Sequence, residues 1–146
     1  MKISCIIIDD EPNALRLLKD YISKVKLLQL INAFHDGLDA SLFLQKNNVD
    51  VIFTDIKMPL LSGLELAKIL PGNQKFVFTT AYSQHALDSF NYNVIDYLLK
   101  PITFHRFNQT ISKIEQASNG PNTNQPNSEL DYMGKWLRIL TGCKYR

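Results

Sequence analysis

The sequence predicts an α/β protein in which a parallel sheet of five strands is covered by helices on both faces. Three observations support this fold class. Short apolar runs alternate five times with segments whose apolar residues recur at three- and four-residue steps, as on the buried face of a helix. Several runs are apolar at nearly every position, which is typical of strands buried on both faces. Strands separated by helices of this length require right-handed crossovers and therefore a parallel sheet.

The first predicted strand is the apolar, largely β-branched run ISCIII at residues 3–8. Pro12 follows at a position where the first turn of a helix tolerates proline, so we expect the first helix to begin there. The apolar side chains of this helix form one stripe, predicted to consist of Ala14, Leu17, Leu18, Tyr21, Ile22 and Val25.

A weaker second strand is predicted at residues 28–34, and Asp36-Gly37 leads from it into a second helix. The third strand is predicted at residues 50–54. Ser62 is expected to cap a third helix, which Pro71-Gly72 ends. The apolar residues of these two helices are Leu38, Leu42, Phe43 and Leu44 in the second and Leu64, Leu66, Ala67, Ile69 and Leu70 in the third.

The fourth and fifth strands are predicted at residues 75–80 and 94–99. Between them, Ser83 is expected to cap a short helix 4 that reaches about Phe90. Thr103 is expected to cap helix 5, the last helix. One face of helix 5 carries Phe104, Phe107, Ile111 and Ile114.

The composition changes after the last helix. Residues 119–128 contain no apolar side chain and are typical of a flexible linker. Residues 129–146 are too few for a second core. We therefore expect one domain over residues 1–118, a linker over residues 119–128 and a C-terminal segment of unknown structure over residues 129–146.

Charge and cysteine content exclude several classes of protein. Sixteen basic and fourteen acidic residues give a net charge of +2, so no global basic field favours nucleic-acid binding by this segment. Cys5 and Cys143 have no metal-site spacing and form no disulfide framework, which favours a reducing compartment. The first apolar run stops at Asp9, too early for a signal peptide, and no stretch is long enough to span a bilayer. We therefore expect a soluble, cytoplasmic protein.

Polar side chains lie where the predicted strands end. Five βα units favour the flavodoxin-like strand order 2-1-3-4-5, in which ligands bind at the carboxyl edge of the sheet. Every predicted strand except the second has polar or charged residues at that edge. They are Asp9, Asp10 and Glu11 after the first strand, Asp55 after the third, Thr79 and Thr80 in the fourth, and Lys100 after the fifth. This coincidence is the main functional signal in the sequence.

The acidic residues at this edge favour a divalent cation. Two carboxylates about 4 Å apart repel by roughly 1 kcal/mol in water and by roughly 4 kcal/mol at an effective dielectric of about 20. Oxygen ligands of this kind suit Mg²⁺. Helix capping would explain Asp9 and Asp10 if they stood alone, but beside Asp55 a magnesium site is the better interpretation.

Asp55 is the candidate nucleophile, because a strand-end carboxylate can attack phosphorus while Mg²⁺ offsets the phosphate charge. A solvated strand end is the simpler explanation if its neighbours are ignored. Lys100 supplies an ammonium that can bridge carboxylate and phosphoryl oxygens, although most lysines are only exposed. Thr80 offers a hydroxyl, although β-propensity also favours threonine there. Pro101 permits a cis bond that aims Lys100 inward.

Four segments resemble the receiver domain of bacterial two-component response regulators. They are IIIDDEP (6–12), DIKMPLLSG (55–63), TTA (79–81) and DYLLKP (96–101), which occur in the order and at the separations of that family. The resemblance implies a domain that accepts a phosphoryl group from a sensor histidine kinase. It implies no enzyme activity beyond self-phosphorylation from small phosphodonors and autodephosphorylation.

The resemblance also implies the residues of the phosphorylation site. Asp55 would be the phosphoacceptor. Asp10 and Asp55 would bind Mg²⁺ directly, together with the backbone carbonyl of Lys57, whereas Asp9 would act through water. Met58, Pro59 and Gly63 would shape the loop that follows the phosphorylated strand.

A switch is implied in the same way. Thr80 would be the hydroxyl that moves to the phosphoryl group, Lys100 the cation bonded to it, and Tyr97 an aromatic rotamer switch on strand 5. The surface of helix 4, strand 5 and helix 5 would change its packing and serve for homodimerisation upon phosphorylation.

The segment at residues 78–101 resembles most the branch of regulators that carry a LytTR-type DNA-binding domain. No recognisable LytTR domain occurs in the 146 residues, so DNA binding and transcription regulation would belong to an output domain outside them. Residues 129–146 would then be a remnant beside that domain, and a stand-alone receiver is the alternative.

Three other functions are alternatives to an active receiver. A phosphohydrolase with a nucleophilic Asp would need a second acid at the position of Lys57. A flavin site would need a phosphate-binding loop where the first strand is followed by three acids. A phosphorylation-silent pseudo-receiver, acting only as an interaction module, is the hardest to exclude. The presence of all five expected site residues favours the active form.

Overall fold

The computed structural model describes residues 2–70, 72–81 and 93–118 of the chain. Five parallel strands form one sheet in the order β2-β1-β3-β4-β5, which confirms the predicted fold class and strand order. The strands are β1 (Ile3–Ile8), β2 (Leu28–Phe34), β3 (Val51–Asp55), β4 (Lys75–Thr80) and β5 (Val94–Leu99).

Four helices accompany this sheet in the described part of the chain. They are α1 (Pro12–Ser23), α2 (Gly37–Lys46), α3 (Gly63–Ile69) and α4 (Phe104–Ser118). The helix predicted at residues 83–90, the linker and the C-terminal segment lie outside the described residues. Helix α4 is therefore the helix 5 of the sequence prediction. None of the helices in the described ranges is long and apolar enough to cross a membrane.

The sheet separates two apolar cores. Between the sheet and helices α1 and α4 lies the α1–α4 core, where the rings of Phe53 and Phe107 stack with centroids 5.7 Å apart. On the other face lies the α2–α3 core, which includes Phe78 and Leu66. Strand β3 is buried at every position, as expected for a strand covered on both faces.

The predicted apolar faces of two helices are right in part: Tyr21 and Val25 pack against the α1–α4 core, and Phe43 packs against the α2–α3 core. Helix α1 buries Leu15, Leu18 and Ile22, whereas Leu17 is 36% exposed. Helix α2 buries Ala40, Ser41 and Leu44, whereas Leu38 and Leu42 are exposed. In place of Leu17, Leu38 and Leu42, the buried side chains are Leu15 in α1 and the small Ala40 and Ser41 in α2. The orientation of a helix is set by its packing and not by the number of its apolar residues alone. Val25 lies beyond the end of α1.

Two of the three predicted helix caps are present, and the third, Ser83, lies outside the described residues. Ser62 Oγ accepts a hydrogen bond from Glu65 N at 3.1 Å, and the Glu65 carboxylate accepts one from Ser62 N at 3.0 Å, which completes a capping box. Thr103 Oγ1 accepts a hydrogen bond from Arg106 N at 3.1 Å. Helix α3 is capped by Leu70 at its C-terminal end and so ends before Pro71, which lies outside the described residues.

Strand β3 begins one residue later than predicted. The Asp50 carboxylate accepts hydrogen bonds from Ser4 N at 2.9 Å and from Ser4 Oγ at 3.1 Å. This side chain therefore ties the start of β1 to the residue before β3.

Asp96 joins strand β5 to helix α4. Its carboxylate is 1% exposed and pairs with Arg106 through two hydrogen bonds of 2.8 and 2.9 Å. It also accepts hydrogen bonds from Thr110 Oγ1 at 2.8 Å and from Lys113 Nζ at 3.1 Å. Burial acts to raise the pKa of Asp96, but the hydrogen bonds from Arg106 and Thr110 outweigh it and lower the pKa below its usual value. A satisfied buried anion thus fixes α4 on the sheet.

Candidate functional site

Three strand ends bring one ammonium group and three carboxylates together. Lys100 follows β5, and its Nζ lies 2.8 Å from Asp9 Oδ2 after β1 and 3.0 Å from Asp55 Oδ2 at the end of β3. Asp10 joins them, since one oxygen from each of the three aspartates lies within 4.8 Å of the others. Glu11 is at the margin, with Oε1 3.9 Å from Lys100 Nζ.

The three aspartates differ in exposure and in partners. Asp9 is fully buried and also accepts a hydrogen bond from Glu11 N at 2.9 Å. Asp55 is 8% exposed, and its second oxygen accepts a hydrogen bond from Lys57 N at 3.3 Å. Asp10 is exposed. Two carboxylates of the cluster are therefore buried, and the third faces solvent.

The charges of the site influence one another. Burial raises the pKa of the Asp55 carboxyl above its usual value, and the hydrogen bond from Lys100 offsets this only in part. Burial acts to lower the pKa of Lys100, but its hydrogen bonds with Asp9 and Asp55 outweigh that effect and raise the pKa. The ammonium therefore stays charged between two carboxylates. One cation facing this many acids leaves a negative potential that attracts another cation.

The donor set of the cluster fits magnesium. All three side chains offer carboxylate oxygens, which are the ligands of a hard cation, and one of them is open to solvent. No histidine or cysteine within the described ranges joins this cluster to favour a softer metal.

The end of β4 adds two threonines. Thr80 is 1% exposed, and its carbonyl oxygen accepts a hydrogen bond of 2.7 Å from Lys100 N, which ties the lysine backbone to β4. Thr79 is fully buried and stands opposite Asp55 in the β3–β4 register. The Lys100-Pro101 peptide bond is cis, the form that Pro101 permits.

Tyr97 is the predicted switch residue on β5. It is half-buried on β5 and packs against the α2–α3 core.

The loop after β3 approaches the site closely. A Cβ on Gly63 would lie 2.2 Å from the carbonyl oxygen of Asp55, so only glycine fits at the start of α3. Gly63 N also donates a hydrogen bond to Ile56 O at 2.9 Å. Together with the capping box of Ser62, this contact fixes the backbone on which the Asp55 side chain stands.

Two buried polar residues are not distinguished by the sequence pattern. Asp96 interrupts an apolar strand, and basic residues at positions 106 and 113 lie at helical spacing on α4, which is the signal that could have predicted the buried ion pair. Thr79 stands beside Thr80 at the end of the predicted fourth strand. The predicted strand order, in which the third and fourth strands are neighbours, could have marked it as a residue close to Asp55.

Comparison with known proteins decides the family. The protein-family model described as "Response regulator receiver domain" matches residues 5–112, more than half of the chain. The chain belongs to the response regulator receiver family. Receiver domains are phosphoacceptors of two-component response regulators that bind Mg²⁺ at an acidic pocket, interact with histidine kinases and dimerise. They are generally not classed as enzymes.

Curated relatives of this receiver are longer proteins. It is 38% identical over 115 residues to the transcriptional regulatory protein YpdB of Escherichia coli K12, a match that covers 77% of this chain and 47% of YpdB. It is 37% identical over 119 residues to protein MrkE of Klebsiella pneumoniae, covering 80% of this chain and 44% of MrkE. The chain thus spans about half the length of the curated relatives it matches.

Solved structures of isolated domains match over nearly their whole length. The response regulatory domain of MrkE from Klebsiella pneumoniae superposes with a TM-score of 0.74 at 35% identity, covering 80% of this chain and 98% of that domain. The receiver domain of AraT from Geobacillus stearothermophilus gives a TM-score of 0.70 at 26% identity, covering 82% and 97%.

Proposed function

We propose that Asp55 is the phosphoacceptor of this receiver and takes its phosphoryl group from a histidine of a sensor kinase. The observation that carries the proposal is the position of Lys100 Nζ between Asp55 and Asp9. An ammonium held there is ready to bond a phosphoryl oxygen on Asp55 as soon as one arrives. Helix capping or solvation of a strand end would require no such convergence of three strands.

Asp10 and Asp55, with the backbone carbonyl of Lys57, are the proposed direct ligands of Mg²⁺, and Asp9 acts through water. The exposure of Asp10 supports this assignment, because a cation can reach it from solvent. The burial of Asp9 beside Lys100 supports an indirect role. When bound, Mg²⁺ offsets phosphate charge as the carboxylate approaches.

The chemical step is an in-line displacement at phosphorus. A carboxylate oxygen of Asp55 forms the new P–O bond while the P–N bond to the kinase imidazole breaks and its electron pair returns to the ring. The product is an acyl phosphate. Lys100 turns toward a phosphoryl oxygen, and the Thr80 hydroxyl donates to another.

Switching follows from the added charge. The phosphoryl group adds roughly −1.5 to −2 charges. Among the proposed residues, only Lys100 and Thr80 have side chains that can donate hydrogen bonds to its oxygens. Movement of Thr80 leaves space beside β5 that the Tyr97 ring fills, which changes the packing of residues 83–90, β5 and α4. This surface is the proposed contact between two phosphorylated copies.

The output proposed for this receiver is transcription control through a LytTR-type DNA-binding domain, with residues 119–128 as the linker and residues 129–146 beside the output domain. Two facts support an output in transcription control: the match covers only 47% of YpdB, and YpdB is named a transcriptional regulatory protein. The LytTR type is proposed from the resemblance of residues 78–101 alone. We keep the cytoplasm as the proposed location, since that is where sensor kinases present their phosphohistidine.

Incubation with acetyl phosphate tests the proposed site. We expect intact mass spectrometry to detect one added phosphoryl group per chain in the presence of Mg²⁺ and none after chelation with EDTA. Reduction with borohydride should then convert Asp55, and no other residue, to homoserine. Absence of uptake by the folded protein would favour the phosphorylation-silent alternative and contradict the proposal.

A further inference from the structure

Thr79 carries a buried hydroxyl without a hydrogen-bond partner. The residue is fully buried, and its Oγ1 is the single buried side-chain polar atom left unpaired within the described ranges. The two other fully buried threonines are satisfied, since Thr54 Oγ1 donates to Asp55 O at 3.0 Å and Thr110 Oγ1 donates to Asp96 at 2.8 Å. Because an unpaired buried hydroxyl destabilises the fold, its presence here calls for a role outside packing.

The strand register sets this hydroxyl beside the phosphorylation site. Thr79 is the partner of Asp55 in the parallel β3–β4 ladder, so the two side chains leave the sheet on the same face from strands about 4.8 Å apart. The residues two positions before Asp9, Asp55 and Thr79 all belong to the α1–α4 core, so the three side chains share that face.

Lys100 must cross β4 to reach its partners. It follows β5, whereas Asp55 ends β3 and Asp9 follows β1, and β4 lies between β5 and both of these strands. Its side chain therefore passes over the end of β4, where Thr79 lies on the face that Asp9 and Asp55 occupy. An ammonium has three N–H donors, and two of them are used in the short bonds to Asp9 and Asp55.

We infer that Thr79 is a positioning residue for Lys100, whose hydroxyl accepts an N–H of the ammonium when Lys100 turns from the Asp55 carboxylate to the phosphoryl group. The inference rests on the proposed function of Asp55. In the unphosphorylated state the Lys100 ammonium bonds to the carboxylates of Asp9 and Asp55, and the Thr79 hydroxyl has no hydrogen-bond partner. Phosphorylation replaces the Asp55 carboxylate oxygen by a phosphoryl oxygen as an acceptor of the ammonium, and the hydroxyl accepts the third N–H, which Asp9 and Asp55 leave unused.

The variants T79V and T79S test this role. T79V keeps the shape of the side chain and removes a group that is unpaired, so its melting temperature should equal or exceed that of the wild type. Uptake of phosphate from acetyl phosphate with Mg²⁺ should nevertheless slow about fivefold, the effect of one ordinary hydrogen bond. T79S should restore the wild-type rate. The ¹⁵N signal of the Lys100 ammonium, recorded with beryllofluoride bound, should change in T79V and return in T79S.

Thr54→Val is the matched control. Thr54 is equally buried on the neighbouring strand but uses its hydroxyl, so this variant should lower the melting temperature and leave the Lys100 signal unchanged. Wild-type uptake rates and an unchanged Lys100 signal in T79V would overturn the inference while leaving the proposed function intact. Absence of uptake by the wild type would contradict the proposed function itself, and the inference with it.

Discussion

Asp55→Asn should abolish phosphate uptake from acetyl phosphate while the fold persists. The amide is nearly the same size as the carboxylate but lacks the nucleophilic anion, so no acyl phosphate forms. Burial of Asp55 raises the pKa of its carboxyl, which means that the charge is held unfavourably in the folded protein. Its removal should therefore not lower the melting temperature. Intact mass spectrometry and thermal unfolding measure the two outcomes.

Asp50→Asn is the matched control for this variant. Asp50 stands just before β3, whereas Asp55 ends it, and the Asp50 carboxylate is occupied by Ser4 at the opposite edge of the sheet. Its conversion should leave uptake at the wild-type level. Stoichiometric labelling of Asp55→Asn would remove Asp55 from its proposed role, even if the wild type is labelled normally.

Asp96→Ala should lower the free energy of unfolding by about 3 kcal/mol, the lower end of the range for breaking a buried ion pair. The lower end applies because the Arg106 and Lys113 side chains that would lose their partner are 34% and 35% exposed and can regain water. Denaturant unfolding at neutral pH measures the loss. Asp20→Ala is the control, since Asp20 pairs with Lys24 at 3.2 Å with both side chains 56% exposed and should contribute less than about 1 kcal/mol.

The contribution of Asp96 should depend on pH in one direction. Its pKa is lowered in the folded protein, so the unfolded state binds the proton more readily. The stabilisation is therefore fully present above the unfolded value of about 3.9 and is lost as pH falls through the lower folded pKa. The difference in unfolding free energy between wild type and Asp96→Ala should be constant near neutrality and shrink in acid. A difference that grows as pH falls would contradict the structural role of the anion.

The strands could be predicted because parallel strands buried on both faces leave unbroken apolar runs, as in residues 3–8. Their order could be predicted only because five βα units favour the flavodoxin-like arrangement. The buried face of a helix is harder to predict, since several rotations of a leucine-rich helix about its axis look equally amphipathic. The sheet contacts Leu15 and Leu18 of α1 and leaves Leu17 exposed in part, and only packing makes that choice.

The candidate site shows the same division. Polar residues at strand ends predict which side chains meet, because carboxyl ends of parallel strands share one edge. Which of two adjacent residues is buried depends on the alternation of side chains between the two faces of the strand. Asp9 continues the face of Ile7 and is buried beside Lys100, while Asp10 faces solvent. The spacing of Arg106 and Lys113 marks them as candidate partners of Asp96, but whether they meet it depends on how α4 packs against β5.

A structure of the protein with Mg²⁺ and beryllofluoride tests the central claim most directly, because beryllofluoride mimics a phosphoryl group on a carboxylate. We expect a cation bound by Asp10, Asp55 and the Lys57 carbonyl. We also expect a beryllofluoride group on Asp55 whose fluorine atoms accept hydrogen bonds from Lys100 and Thr80. A cation bound elsewhere, or a saturated sample with Asp55 free and Lys100 still on its carboxylate, would contradict it.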